Sequence, residues 1–166
     1  MKTIIAIVGR SGSGKTLMQQ TIMEFYNYPP IRSHTTRPRR TPDESSHVFV
    51  TDEEFDKIKD PLAETIYGSY RYCGVMTEES DIYTYVIDMK GLHMLKANPN
   101  YRVITIRVSA FDGILQQRVC EERLKRDTDR YDVESFDYIC DNNGSKHEFR
   151  CKILDIVKQI QNNGIK

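Results

Sequence analysis

Residues 3–8 (TIIAIV) form a short, unbroken apolar run rich in isoleucine, the pattern of a strand buried on both faces. Over Lys15–Tyr26 the apolar positions Met18, Ile22, Phe25 and Tyr26 recur at helical spacing, and Pro29 and Pro30 close that helix. The chain therefore opens strand, loop, helix. Residues 33–46 are polar, punctuated by proline and without a period of their own. Thr51-Asp52-Glu53-Glu54 has capping-box spacing and predicts a helix start, with Phe55 and Ile58 turned inward. Residues 83–88 (YTYVID) and 102–108 (RVITIRV) predict two further strands. A helix follows each, near 92–96 and over 113–126. Tyr138–Asp141 predicts a last short strand. Lys146–Asn162 predicts a closing helix with Phe149, Ile153, Ile156, Val157 and Ile160 on one face.

Strands alternating with helices predict an α/β fold around a parallel sheet. The alternation stops over about 33–80, which reads as an inserted lobe. The expected organisation is one domain over 1–166, with a core of 1–32 and 81–166, the lobe at 33–80 and a lid at about 118–135.

Composition narrows the function classes only modestly. A formal net charge of +0 gives no general attraction to nucleic acid or to a membrane surface. Arginines cluster locally, however, at 37–40 and again over 118–130. The four cysteines lack C-x-x-C pairing and zinc spacing, so reduced thiols are expected. No apolar run reaches membrane-span length, and residues 3–8 are too short for a signal-peptide core. A cytoplasmic protein is expected, monomeric or homodimeric, with a small molecule as its partner.

The segment Gly9-Arg10-Ser11-Gly12-Ser13-Gly14-Lys15-Thr16 matches G-x-x-x-x-G-K-[ST] in full, between the predicted strand and the predicted helix. Glycines at these positions let consecutive backbone N–H groups curl around phosphates at a helix N-terminus. Lys15 would reach the β- and γ-phosphate oxygens as a point charge, and the Thr16 hydroxyl would ligate Mg²⁺. ATP and Mg²⁺ are the implied cofactors. Which reaction follows is left open by this loop, because many enzyme classes carry one.

A second phosphate-seeking segment lies at 33–44. Ser33, Thr35, Thr36, Arg37, Arg39 and Arg40 gather hydroxyls and guanidinium forks suited to a phosphate, although a solvated basic turn has the same composition. Here the chain resembles the acceptor lobe of guanylate kinases, S-x-T-T-R-x-x-R-x-x-E, with Ser33, Thr35, Thr36, Arg37, Arg40 and Asp43 on that block. Phe49-Val50 and Glu54-Phe55 fall on the next block. Glu64 and the segment Gly68-Ser69-Tyr70-Arg71-Tyr72-Cys73-Gly74 resemble the family's glutamate and G-N-Y-Y-G segment. Val86-Ile87-Asp88-Met89-Lys90-Gly91 resembles its I-D-x-Q-G strand end, and 115–126 the helix leading into its lid. Asp141-Asn142-Asn143 resembles a strand end near the adenine.

The resemblance implies a P-loop kinase fold with a central parallel sheet flanked by helices, an inserted acceptor-binding lobe and a short lid. It implies phosphoryl transfer from ATP to a nucleoside monophosphate, GMP or dGMP first. Arg37, Arg40 and Tyr72 would grip the acceptor phosphate, and Ser33, Glu64 and Asp88 the guanine edge. His47 stands where the family usually has a phosphate-binding tyrosine and can still donate one hydrogen bond. Asn142 would lie beside the adenine. Asp88 keeps two other readings, orienting Mg²⁺ through water or capping a strand end. Helical spacing puts Arg123, Arg126 and Arg130 on one face, with Arg126 and Arg130 as lid contacts to the moving phosphoryl group. Nearby Glu121, Glu122, Asp127 and Asp129 could equally neutralise them. Sister kinases acting on ribose 1,5-bisphosphate or deoxynucleoside monophosphates share parts of this pattern, Tyr72-Cys73-Gly74-Val75 among them. A non-catalytic interaction module is the alternative from another class, and the intact Lys15 and Thr16 speak against it.

Overall fold

The computed structural model describes residues 1–121, 124, 131 and 134–164. Eight strands and five helices are used below. They run β1 Lys2–Val8, α1 Lys15–Tyr26, β2 Arg32–Thr35, β3 Val48–Phe49, α2 Asp52–Phe55, β4 Leu62–Tyr67 and β5 Tyr70–Val75. The chain continues through β6 Ile82–Val86, α3 Met89–Lys96, β7 Tyr101–Ser109, α4 Asp112–Arg118, β8 Tyr138–Asp141 and α5 Lys146–Asn162. The helix predicted over 113–126 is interrupted after Arg118; Glu121 and Leu124 are again helical, and residues 122, 123, 125 and 126 lie outside the described residues. Val119 turns extended after Arg118, and its side chain packs against the loop at Gly12.

The strands form two sheets. One is wholly parallel in the order β6-β1-β7-β8, with β1 between the strands that follow it on either side. That reversal makes the carboxyl end of β1 a topological switch point, where open α/β sheets leave a crevice. Alternation along β1 feeds both faces of this sheet. Ile5 and Ile7 pack with Met18 and Ile22 of α1 and with Phe149, Ile153 and Val157 of α5. Ile4, Ala6 and Val8 pack on the other face with Leu92 and Leu95 of α3 and with Leu62 of β4. A strand covered on both sides is apolar throughout, which is why residues 3–8 carry no polar break.

The second sheet, β3-β2-β5-β4, lies within the stretch where the hydrophobic pattern has no period. Strand β2 reads Arg-Ser-His-Thr, a polar strand whose Ser33 lines a cavity while Thr35 is buried. Strands β4 and β5 form a hairpin closed by two residues, with Gly68 at φ 62 supplying the positive φ such a turn needs. The ladder slips between Leu62 and Thr65, where Ala63 takes φ 47. This bulge breaks the period-2 pattern and hides the strand from a sequence reading. The capping box predicted at Thr51 and Glu54 is present, and α2 buries Phe55.

Candidate active site

The loop of residues 9–16 joins β1 to α1 at the switch point. Gly9, Gly12 and Gly14 take φ of 150, 79 and 114, values that side chains resist. At Gly14 there is also no room: a Cβ would stand 2.5 Å from the Asn142 amide nitrogen and 3.0 Å from the Phe149 ring. Lys15 bends back so that its ammonium donates to the carbonyls of Gly9 (2.6 Å) and Arg10 (2.9 Å). Helices α2, α3 and α5 are each capped by a side chain, from Thr51, Asp88 and Ser145. Helix α1 has no capping side chain and no acidic residue in its first turn. Its first N–H groups and its positive dipole end are therefore left for an anion.

Two residues brace this loop from behind. The Asn142 side chain is buried, and its amide donates to the Ser13 carbonyl at 2.7 Å. This amide, of the residue expected beside an adenine, holds the loop. Arg118 donates to the carbonyls of Gly12 (3.3 Å) and Asn142 (3.2 Å), tying the end of α4 to the loop. Arg10 forms an ion pair with Asp112 of α4. Thr16 is exposed in the first turn of α1.

A cavity of about 510 Å³ opens from the loop toward the second sheet. Gly9, Ser11 and Lys15 line one end. Ser33, Arg40, His47 and Tyr72 come to its wall from the lobe, and Asp88 from the end of β6. Most of the predicted acceptor set is thus gathered in one space, from positions up to 55 residues apart (33 to 88).

Arg37 is placed differently. It is 8 % exposed and held by both carboxylate oxygens of Glu44, at 2.8 and 3.3 Å, while stacked over the Phe49 ring. Glu44 also accepts from the Arg40 backbone N–H (2.7 Å) and the Ser46 hydroxyl (3.0 Å). The Arg37 guanidinium holds the Glu44 carboxyl down at about 2. Sequence reasoning placed Asp43 on the family block and missed Glu44 as the organiser of this loop. The clue was its spacing from Arg37, but a seven-residue separation inside a loop predicts no contact by itself. With Arg37 engaged, Arg40 is the exposed guanidinium on the cavity wall.

His47 stands edge-on to the rings of Phe49 and Tyr72, at 6.0 and 5.9 Å between centroids. Burial, then the Arg37 charge, pushes its pKa below the usual imidazole value, and its buried Nδ1 has no partner among the described residues. It is a neutral ring with one nitrogen unspent. Asp88 accepts from the Gly91 N–H at 2.7 Å and so caps α3, while still reaching the cavity. Glu64 does not line the cavity: it pairs with Arg71 at 3.0 Å, and Arg71 also pairs with Asp56 and stacks over Phe55. Tyr85, unremarked in the sequence, fills the wall beside Gly74, where a Cβ would come within 2.7 Å of its ring and hydroxyl. The lid candidates Arg123, Arg126 and Arg130 lie outside the described residues.

A glycine loop at the end of the central parallel strand, a flanking lobe and a shared cavity define a P-loop kinase fold. The fold is, more narrowly, a divergent guanylate-kinase-like one. The structure is similar to the crystal structure of guanylate kinase from Anaplasma phagocytophilum, with a TM-score of 0.69 at 18 % identity, covering 96 % of this chain and 86 % of that one. It is similar more distantly to an unliganded sugar kinase from a Janibacter species, with a TM-score of 0.50 at 10 % identity and 95 % of each chain covered. No protein-family model and no curated protein matches the sequence. Among the described residues no helix is long and apolar enough to cross a membrane.

Proposed function

We propose that this protein transfers the γ-phosphoryl group of Mg-ATP to a nucleoside monophosphate, with GMP or dGMP as the first acceptors. The observation that carries the reading is the single cavity with Lys15 and the glycine loop at one end and Arg40, His47 and Tyr72 at the other. Two anion sites facing one space are what phosphoryl transfer between two polyanions requires.

The uncapped start of α1 and the positive-φ glycines suit the phosphates of a nucleotide. Among the described residues no group of three or more His, Cys, Asp or Glu side chains could hold a metal ion. Magnesium would rest on the Thr16 hydroxyl and on the nucleotide's own phosphates. Bound Mg-ATP supplies the transferable phosphoryl group and neutralises part of its charge. Lys15 holds the donor end in place and offsets developing negative charge. Arg40 orients the acceptor phosphate, fixed by the bond from its own backbone to Glu44. His47 and Tyr72 offer neutral donors beside it. The acceptor phosphate is already anionic near neutral pH, so no general base is needed. Arg126 and Arg130 are proposed to complete the charge stabilisation from the lid.

The test is ADP formation from Mg-ATP with GMP, dGMP, AMP, UMP, dTMP and ribose 1,5-bisphosphate in turn. ADP with the guanine nucleotides supports the reading, and turnover of the sugar bisphosphate alone would replace its acceptor. Silence with every acceptor points to a binding module. Lys15→Ala should lower turnover at least about 100-fold. Arg40→Ala should raise the acceptor KM about tenfold or more and leave the ATP KM unchanged. Wild-type behaviour of Arg40→Ala at every acceptor concentration would refute this placement of the acceptor phosphate.

A further inference from the structure

The bulge in β4 decides which side chain that strand offers to the cavity. On one face of the lobe sheet, Leu62 stands opposite Gly74 and Thr65 opposite Tyr72. Between these pairs one residue of β5, Cys73, is matched by two of β4, Ala63 and Glu64. Without the extra residue, the alternation from Leu62 would bring Glu64 opposite Tyr72, on the cavity side. With it, Thr65 takes that place: it is 6 % exposed and lines the cavity. Glu64 is carried to the opposite face, where Arg71, which also pairs with Asp56, holds it in an ion pair. The cavity loses a carboxylate and gains a hydroxyl.

Tyr85 supplies a second hydroxyl on the same wall. Its residue is 4 % exposed and lines the cavity. Gly74 is what lets it lie there, since any Cβ at that position would overlap the phenol. Asp88 adds one more group: one carboxylate oxygen is spent on Gly91, and the other remains as an acceptor at the cavity wall.

Resting on the reading of this cavity as the acceptor site, we propose that it takes 6-oxopurine nucleoside monophosphates without reading the 2-amino group. Thr65 and Tyr85 donate to the carbonyl oxygen at C6, and the free oxygen of Asp88 accepts from N1–H. Guanine and hypoxanthine share both features. Adenine shares neither, and its N1 lone pair would face the Asp88 carboxylate. The guanine 2-amino group alone would call for a second carboxylate, and Glu64 is committed elsewhere.

The experiment compares GMP, IMP and AMP by calorimetric binding and by ADP formation. GMP and IMP are expected to agree within about threefold in Kd and in kcat/KM, with AMP at least about tenfold weaker. Deleting Ala63 removes the extra residue and should return Glu64 to the cavity, raising the GMP preference over IMP to about tenfold or more. Thr65→Glu keeps the bulge and should do the same, should the deletion fail to fold. Tyr85→Phe keeps the packing and should weaken GMP and IMP by the same factor. A wild-type preference for GMP over IMP of tenfold or more would overturn the proposal, as would binding of neither. Equal binding of both with no ADP formed would uphold this base recognition and defeat the kinase reading instead.

Discussion

Replacing Glu44 with glutamine removes one charge and keeps most of the shape of the loop it organises. The wild-type carboxylate accepts from Arg37 through both oxygens, and the two side chains are 9 % and 14 % exposed. Arg37 holds this carboxyl at about 2, against an ordinary 4.5. At about 1.4 kcal/mol per pH unit, that gap bounds the ionised pair at about 3.5 kcal/mol, and solvent reaching it leaves about 2 kcal/mol. The folded-state pKa lies below the unfolded one, so this stability is fully present above pH 4.5 and is lost as pH falls toward about 2. Urea denaturation at pH 7, 5, 3.5 and 2.5 measures it. Glu44→Gln should be less stable by about 2 kcal/mol at pH 7 and 5, and the difference should shrink toward zero by pH 2.5. No difference at pH 7, or one that stays constant down to pH 2.5, would refute the account of Arg37 as a neutralised, structural arginine.

Asn142→Ala strands the Ser13 carbonyl and should cost about 1–3 kcal/mol in urea denaturation, together with weaker binding of an ATP analogue. Unchanged stability would mean that the loop does not depend on this brace. Cys73 and Cys140 are buried, and burial pushes both thiols up to about 11, whereas Cys120 and Cys151 are exposed. A disulfide reagent at pH 8 should therefore modify two thiols rapidly in the native protein and four in urea. Rapid reaction of a third native thiol would contradict the packing around β5 and β8. Asp88→Ala removes the cap of α3 and should lower stability by about 1 kcal/mol, seen as a reduced urea midpoint.

Local rules account for what could be read without coordinates. Residues 3–8 must be apolar because a central parallel strand is covered on both faces, and the period of Lys146–Asn162 follows from packing one helical face. The loop at 9–16 is legible because all of its chemistry lies within eight consecutive residues. The pairing of Thr51 with Glu54 spans a single helical turn and forms as its spacing predicts. The lobe sheet escaped because β2 is polar toward the cavity and β4 is bulged, so neither keeps a clean alternation.

The lining of the cavity depended on choices of partner between residues far apart or out of phase. Arg37 carries the same guanidinium whether it faces a phosphate or Glu44, and only the folded loop brings that carboxylate within 2.8 Å. Asn142 reaches Ser13 across 129 positions, through the adjacency of β8 and α5 to the loop, which no motif encodes. At β4 a single extra residue, Ala63, exchanges Glu64 for Thr65 at the cavity wall. A strand's side chains alternate with period two, so one inserted residue inverts the face that every motif match assumes. The chain alone determined that a glycine-rich loop sits on an α/β core; the register of two lobe strands decided which groups line the cavity.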